Sequence, residues 1–480
     1  MRRPILVLTM AVAAMLFPLI GSPALASSPI AQISTDPFSN PTPGQHHTEV
    51  EPDIFSYGGT VVSTFQEGRF FDGGSTDPGW ATLSGGKLRH GPLPGLTVYS
   101  KPAGPYARAS DPAVAYDAKH GTWLISTLAI NSNVVGVAVA VNRSPDGITW
   151  SNPVTAAAAH NSSDFFDKEW IVCDNTATSP FYGHCYVEYD NAGIGDVPFM
   201  TTSTDGGKTW STPISPTGGM TGLGGQPLAQ PSGTVIVPFE GDFGTISAYR
   251  STDGGQSWGN EVVVAPIQAH GEDGNLRSGP LPSAEVDKNG TVYVTWGDCR
   301  FEASCSANDI VMSTSADGIT WSAVKRIPIN PVGSGVDHFI PGIGVDRTTG
   351  GSTAHLALTY YYYPQTNCGN SCQLDVGYIT STNGGATWSA PAQLAGPMSL
   401  SWLAQTNSGP MVGDYIATTI LSGTAYPAFV VAQAPSGSTL NEATYSARLG
   451  VTGGSIRTSE NEPAVGVGPV NPGHGPLTAF

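Results

Sequence analysis

The chain has 480 residues, a formal net charge of −17 at pH 7 and only 12% charged residues. An acidic surface of this kind repels nucleic acids and anionic lipids, which argues against partners of either class. The length exceeds one ordinary core, and abundant glycine (60 residues) and proline (39 residues) predict many short strands joined by tight turns.

The first 26 residues have the pattern of a secretory signal peptide. Arg2 and Arg3 precede an apolar run from residue 5 to residue 20, and the small residues Ala24 and Ala26 follow it. The run is too short for a comfortable membrane span, and no later segment approaches the roughly 20 apolar residues that spanning needs. We therefore predict a secreted, extracellular protein with no membrane span, whose signal peptide (1–26) is removed after Ala26.

A short segment recurs along the chain: it begins with Ser, contains Asp-Gly or Asn-Gly, and ends in Trp. The five copies end at Trp150, Trp210, Trp258, Trp321 and Trp388, which are 60, 48, 63 and 67 residues apart. A decayed copy at residues 82–89 and a strand at residues 442–449 extend the series at similar spacing. Asp-Gly forms a tight turn, Asp and Ser side chains bond the turn amides, and Trp packs beneath. We interpret these aspartates as turn residues rather than metal ligands or catalytic groups.

This segment resembles the Asp-box, or BNR repeat, and residues 45–450 resemble the sialidase-like superfamily. The resemblance implies an all-β fold, a β-propeller of four-stranded antiparallel blades. The spacing favours seven blades, with six, the number expected of sialidases, as the runner-up. We predict an N-terminal segment (27–45) in which residues 33–38 pair with the C-terminal strands to close the ring, an Asp-box β-propeller (46–450) and a C-terminal tail (451–480).

In such a propeller the resemblance implies that the Asp-boxes lie on one face, and that the innermost strands begin at the opposite face. Several acids stand at those strand starts. Crowded carboxylates raise one another's pKa, which lets a general acid and a base coexist near neutral pH. The alternative is that each acid only bonds backbone amides. The candidate catalytic residues are Asp167, Glu169, Asp111, Glu51 and Asp414.

The candidate substrate-binding residues are cations and one tyrosine near the same mouth. They are Lys168, Arg277, Arg300, Tyr415 and Arg69. Sialidases carry an Arg-Ile-Pro near the first blade, but the copy here, residues 326–328, follows the Trp321 box in a predicted outermost strand. We interpret it as a coincidence, which leaves true sialidase activity without its motif.

Six cysteines fall into three pairs of near neighbours, which in an exported chain indicates local disulfides. The pairs are Cys173 with Cys185, Cys299 with Cys305, and Cys368 with Cys372. Zinc is the alternative, but no pair has finger-type spacing. We predict no metal and no cofactor, because the chain has no phosphate loop, dinucleotide fingerprint or His-Glu-x-x-His motif.

The resemblance favours a secreted sialidase-like glycoside hydrolase, of the exo-α-sialidase-like kind, that acts on an extracellular glycan through channel-mouth carboxylates. We expect an extracellular carbohydrate as partner and a monomer. Two alternatives stay open: a sialidase with a tyrosine nucleophile, for which Tyr415 is the candidate, and a non-catalytic propeller that binds glycan or protein. Fold resemblance alone does not decide among them.

Overall fold

The computed structural model describes residues 30–38, 44–453, 457–458 and 460–461. The predicted signal peptide (1–26) lies outside the described residues, as does most of the predicted C-terminal tail. Within the described part, regular structure consists of β-strands and six short 3-10 helices. The helices are Ala192–Ile194, Asp273–Asn275, Ala303–Cys305, Gly351–Thr353, Gly369–Ser371 and Leu400–Trp402. No described helix is long and apolar enough to cross a membrane.

The strands follow one another as antiparallel meanders. The first third of the chain holds β1 (Ala31–Gln32), β2 (Gly44–Gln45), β3 (Asp53–Tyr57), β4 (Thr60–Phe70), β5 (Ser75–Ser84), β6 (Lys87–Pro92), β7 (Arg108–Asp117), β8 (Thr122–Ile130), β9 (Gly136–Ser144) and β10 (Val154–Ala158). The middle holds β11 (Phe166–Cys173), β12 (Cys185–Asn191), β13 (Val197–Ser203), β14 (Gly222–Leu223), β15 (Leu228–Ala229), β16 (Val235–Gly241), β17 (Thr245–Ser251) and β18 (Val262–Pro266).

The last third continues the same pattern. It holds β19 (Ser283–Val286), β20 (Val292–Asp298), β21 (Asp309–Ser315), β22 (Lys325–Arg326), β23 (Asp337–Val345), β24 (Leu356–Tyr363), β25 (Gln373–Ser381), β26 (Thr387–Trp388), β27 (Ala392–Ser399), β28 (Ala404–Thr406), β29 (Gly409–Met411), β30 (Ala417–Leu421), β31 (Thr424–Ala432), β32 (Glu442–Ser446), β33 (Leu449–Gly450), β34 (Arg457–Thr458) and β35 (Glu460–Asn461).

The all-β propeller class predicted from the sequence is confirmed. The inner strands β3, β7, β11, β15, β19, β23 and β30 contact their successors around a closed ring, and β30 contacts β3. The predicted blade number is not reproduced, because the described residues give five separate sheets of four or more strands rather than seven or six. Strands β2–β10 merge into one nine-stranded sheet, and β11–β13 form a sheet of only three strands.

The first and last strands of the described part pair with strands from elsewhere in the chain. Ala31 and Gln32 pair with Ser446 and Tyr445 of β32, and the Ile33 amide donates to the Thr444 carbonyl at 2.9 Å. The predicted N-terminal pairing therefore involves residues 31–33, slightly earlier than residues 33–38. At the other end, β34 pairs with β26 and β35 pairs with β22.

Each Asp-box is a hydrogen-bonded turn. Asp205 Oδ1 accepts the amides of Lys208 at 2.9 Å and Thr209 at 3.0 Å, and the Ser203 hydroxyl at 3.0 Å. Gly206 has a φ of 78°, which a side chain would resist. Burial alone would raise the pKa of Asp205, but these hydrogen bonds outweigh it and lower the pKa to about 2. The carboxylates of the box aspartates therefore stabilise the turn by accepting its hydrogen bonds.

The last box has Asn383 where the others have Asp, and this supplies a prediction. Asn383 Oδ1 accepts the Thr387 amide at 2.9 Å, and Nδ2 donates to the Thr387 hydroxyl at 2.8 Å. Because a carboxylate makes stronger hydrogen bonds to amides, Asn383→Asp should stabilise the fold by about 0.5–1 kcal/mol at neutral pH. The gain should vanish as pH falls through the lowered pKa of the new carboxyl. Denaturant unfolding of N383D at pH 7 and pH 3 measures the gain in stability. Asp205→Asn, the reverse exchange, is the control and should lose stability at pH 7. An N383D variant less stable than the wild type at pH 7 would contradict the prediction.

Candidate functional site

Irregular positions in the inner strands turn charged side chains into the central channel. The pairing of β7 with β8 shifts register after Ser110, and that of β11 with β12 shifts after Asp167. At these bulges Asp111 has a φ of 46° and Lys168 a φ of 48°, and Glu51, just before β3, has a φ of 53°. Non-glycine residues in this conformation are strained by roughly 1–3 kcal/mol and persist only where the surroundings hold them. The strain marks this level of the channel as a candidate site.

Lys168 lies at the centre of a buried charge cluster. Its Nζ is 3.3 Å from Asp111 Oδ1 and 3.8 Å from Glu51 Oε1, and it donates a hydrogen bond to Asp414 Oδ2. Arg277 holds the same Asp414 carboxylate with two bonds, Nε to Oδ1 at 2.8 Å and Nη2 to Oδ2 at 2.6 Å. The Lys168 side chain is only 5% exposed. We call Glu51, Asp111, Lys168, Arg277 and Asp414 the Lys168 cluster.

A second layer of polar groups supports the cluster. Gln66 Nε2 donates to Glu51 Oε2 and, at 3.0 Å, to the Ser110 hydroxyl. Arg69 Nη1 donates to Gln66 Oε1 at 3.2 Å. Arg69 Nε and Nη2, and Arg277 Nη1, are buried without a hydrogen-bond partner in the described part of the chain. Two guanidinium groups therefore keep spare donors beside the carboxylates.

The cluster pushes the pKa values of its carboxyl groups apart. Burial opposes ionisation of Asp414, but Arg277 and Lys168 outweigh it and hold the pKa of Asp414 far below its usual value. Burial, followed by the nearby Asp111, raises the pKa of Glu51 to about 8. Burial also raises the pKa of Asp167 to about 7, against the opposing charge of Lys168. At neutral pH the channel thus holds an ionised Asp414 next to a protonated Glu51.

The cations of the site respond to the same surroundings. Burial would lower the pKa of Lys168, but Asp111, Asp414 and Glu51 outweigh it and raise the pKa well above the usual value. Burial lowers the pKa of Arg69, with the neighbouring Arg277 as the next cause. Lys168 is therefore a permanent positive charge within the site.

Glu169, Trp170 and Tyr415 lie next to the cluster. Together with Lys168 they line a cavity of about 10 Å³, room for one water molecule. The Trp170 and Tyr415 rings meet edge to face at 4.9 Å, and the Tyr415 hydroxyl donates to the Pro112 carbonyl at 3.4 Å. Burial, followed by Asp111, raises the pKa of Glu169 well above its usual value. The predicted residues Glu169 and Tyr415 thus lie at the site, and both are buried.

Arg300 is a predicted site residue that lies away from the Lys168 cluster. It lies on the rim loop closed by the Cys299–Cys305 disulfide, where Nη2 is 2.9 Å from Asp298 Oδ2. The Asp298 carboxylate also accepts the Arg300 amide at 2.9 Å and the Trp296 indole NH at 3.0 Å, so Arg300 anchors the loop. The three predicted disulfides are all present, including Cys173–Cys185 and Cys368–Cys372.

Sequence reasoning missed several polar residues of the site. Gln66 and Ser110 lie on strands that give no catalytic signal, and Asp190 faces Asp167 across β11 and β12. Among the described residues, one set has a geometry that could hold a metal ion. It consists of Asp273, Cys368 and Cys372, whose two thiols are joined in a disulfide.

Comparison with known proteins supports the repeat assignment. Residues 133–342 match the family model of the BNR repeat-like domain. This match confirms the BNR, or Asp-box, resemblance over those residues. A search of curated proteins found no match.

Solved structures with a similar fold are distant in sequence. Hadza microbial sialidase Hz136 is 14% identical, with 81% of this chain and 76% of that chain covered and a TM-score of 0.46. A Trypanosoma rangeli sialidase in complex with sialic acid is 12% identical, covering 89% and 59%, with a TM-score of 0.47. A Dyadobacter fermentans protein of unknown function is 15% identical, covering 75% and 100%, with a TM-score of 0.46.

Proposed function

Starting from an all-β propeller that carries a BNR repeat-like domain and is sialidase-like, we propose that the chain is a secreted glycoside hydrolase. It acts on an extracellular glycan through the carboxyl groups of the Lys168 cluster. The observation that carries the proposal is one ammonium group, Lys168 Nζ, contacted by the three carboxyl groups of Glu51, Asp111 and Asp414. Glycoside hydrolysis needs one carboxylic acid and one carboxylate at the same bond.

The residues then take separate roles. Glu51 donates its proton to the leaving oxygen, since a pKa near 8 keeps it protonated at neutral pH. Asp111, which touches only Lys168 among the cluster's cations, is the carboxylate that faces the reacting carbon or its attacking water. Asp414 fixes Lys168 and Arg277, and the spare donors of Arg69 and Arg277 hold substrate oxygens.

Glu51→Gln tests the proposal, because glutamine keeps an acceptor for Gln66 but cannot give up a proton. We expect kcat on a fluorogenic glycoside to fall by about 10²- to 10⁴-fold, the usual contribution of a general acid. Wild-type kcat should decline above about pH 8. Asp253→Asn, in an Asp-box, is the matched control, because Asn383 already occupies the same position in another box. Full activity of E51Q, or no turnover of any glycoside or cell-surface polysaccharide, would refute the proposal.

One observation favours a second function, a non-catalytic propeller that binds glycan or protein. The three carboxyl groups of the cluster are each at most 2% exposed, and each already contacts Lys168 or Arg277. Such a closed network also serves as a plug under a binding surface. Calorimetric binding of a glycan without turnover would support this function over hydrolysis.

We also propose that the ring contains seven repeat units. The nine-stranded sheet holds two meanders, β3–β6 and β7–β10, joined only by the pair Ser75 and Ala109. In the three-stranded sheet, an isolated antiparallel bridge between Met200 and Ile214 takes the place of a fourth strand. Seven inner strands contact one another in sequence around the ring. An experimental structure that placed fewer inner strands around the channel would overturn this count.

The chain organisation expected from the sequence completes the proposal. Residues 1–26 are removed on secretion, residues 27–45 help to close the ring, residues 46–450 form the propeller and residues 451–480 form the tail. Three disulfides are compatible with an oxidising compartment. N-terminal sequencing of the exported protein tests the cleavage site, and light scattering tests whether it is a monomer.

A further inference from the structure

A second group of carboxyls lies between the Lys168 cluster and the rim of the propeller. Asp167 and Asp190 stand directly opposite each other on β11 and β12, and Glu188 lies two residues before Asp190 on the same face. Glu188 faces the next sheet, where the Tyr249 hydroxyl donates to its Oε1 at 3.5 Å. A side chain at Gly225 would come within 2.6–2.8 Å of the Glu188 carboxyl, so the glycine leaves room for that acid.

The acceptors of this group are not satisfied. Both carboxyl oxygens of Asp190 and Oε2 of Glu188 are buried without a hydrogen-bond partner in the described part of the chain. Asp190 and Glu188 are each only 1% exposed. A buried carboxyl that lacks a donor loses its hydration without compensation, which costs stability. A ligand that brings donors or positive charge would recover that cost.

Two further acids connect this group to solvent. Asp196 is half-buried and Asp242 is exposed, on neighbouring rim loops. Both loops bond the backbone of residues 221–222: the Gly222 amide donates to the Asp196 carbonyl at 2.8 Å, and the Asp242 amide donates to the Thr221 carbonyl at 3.2 Å. We call Asp242, Asp196, Asp190 and Asp167 the acidic track, because they follow one another from the rim to Lys168.

The electrostatics agree with this order. Burial, followed by Asp242, raises the pKa of Asp196. Burial raises the pKa of Asp190 well above its usual value, and Asp167, Glu188 and Asp196 add to it. The pKa values of Asp190 and Asp196 are thus raised by neighbouring acids of the track, and a cation placed among them would relieve the repulsion.

The geometry favours an ammonium group over a metal ion. Calcium needs six to eight oxygens at about 2.3–2.6 Å, yet in the described part of the chain the track offers no set of three carboxyls close enough to share an ion. An ammonium group needs only a few acceptors. Lys168 demonstrates this arrangement, with its Nζ held among Glu51, Asp111 and Asp414. The net charge of −17 also draws cations toward the protein.

We propose that the acidic track binds a protonated amino group of the glycan, so that the substrate class is a polysaccharide or oligosaccharide with unacetylated amino sugars. The inference rests on the proposed function, because it places this subsite beside the Lys168 cluster. Asp190 is its central ligand, and Asp196 and Asp242 guide the charged sugar inward.

Direct binding tests the inference without requiring turnover. The full-length secreted protein is titrated calorimetrically with a glucosamine tetramer and with its N-acetylated counterpart, at about pH 6, where amino groups are protonated. We expect the free amine to bind at least about 10-fold more tightly. Because burial raises the pKa of Asp190 well above its usual value, a bound cation should favour the ionised carboxylate and release protons, seen as a dependence of the enthalpy on buffer ionisation.

Variants separate the track from a general charge effect. Asp190→Asn should abolish the proton release and most of the preference, Asp196→Asn should reduce the preference, and Asp253→Asn should change neither. If D190N folds poorly, D196N still tests the inference, provided that its thermal unfolding is the same as that of the wild type. Equal affinity for both tetramers, no binding of either, or a preference that survives in D190N and D196N would overturn the inference. Amine-selective binding without hydrolysis would retain the subsite and refute only the glycosidase.

Discussion

Replacing Lys168 with methionine is expected to abolish turnover and to destabilise the propeller by about 3–5 kcal/mol near neutral pH, the usual cost of leaving buried charges unpaired. Methionine keeps the length of the side chain but removes the charge that Asp111, Glu51 and Asp414 share. Among the three carboxyl groups, only Asp414 retains a salt bridge, with Arg277. Denaturant unfolding at pH 7.5 and pH 5 measures the effect, which should persist at the lower pH because the pKa of Asp414 lies far below that range.

Lys208→Met is the control for this experiment. Lys208 is exposed in an Asp-box, on a turn that uses only its backbone amide, so its charge should matter little to stability or kcat. If K168M were as stable as the wild type at pH 7.5, the carboxyls around Lys168 would not be ionised in the folded protein. The proposed division between acid and carboxylate would then be wrong.

The positions of the channel acids could be predicted from the sequence, but their shared partner could not. The sequence predicts Glu51, Asp111 and Asp414 at the starts of inner strands because each stands next to a short strand after a loop. Lys168 and Asp414 are 246 residues apart in the chain, and only closure of the ring brings them together. No local pattern carries that information, because the contact depends on how many blades separate the two strands.

Other features of the fold also include some that the sequence predicts and some that it does not. The run Tyr360–Tyr363 alternates between two core clusters, as strand periodicity predicts, with Tyr361 and Tyr363 in one and Tyr360 in the other. By contrast, all seven residues of β12, including Glu188 and Asp190, are buried, so no polar and apolar alternation marks them as a site. The separate sheets could not be counted from box spacing because spacing does not show where neighbouring sheets merge.

Stability should fall steadily as pH rises from about 5 to 9. Outside the Lys168 cluster, burial raises the pKa of Glu49 to about 8 and those of Asp53 and Glu240 to about 7. Unfolded carboxyls titrate near 4. Between those values the folded state binds more protons than the unfolded state, so each rise in pH lowers the free energy of unfolding. The stabilisation present at pH 4 and below is thus lost as pH passes through about 7–8.

The Asp-boxes limit the stability of the fold at low pH. The pKa of Asp205 is lowered to about 2, so its contribution is present above about pH 4 and is lost as pH falls through 2. The two groups of carboxyls together place the maximum of stability near pH 4–5, with an acid-tolerant and alkali-sensitive fold. Denaturant unfolding at pH 4.5, 6, 7.5 and 9 traces the decline.

Glu49→Gln isolates one contributor to this decline. Glu49 is buried and accepts the Ser34 hydroxyl at 2.8 Å, a bond that a glutamine oxygen can also accept. Since the amide does not ionise, E49Q should lose less stability than the wild type between pH 6 and pH 9, whereas Asp205→Asn should change only the acid side of the profile. A wild-type profile that stays flat to pH 9, or an E49Q profile parallel to it, would mean that these carboxyls are ionised in the folded state. In that case Glu49, Asp53 and Glu240 must be paired or hydrated in the folded protein. The same would then be expected of Glu51, whose pKa is raised by the same burial, and Glu51 would lack the proton that the proposed hydrolysis needs.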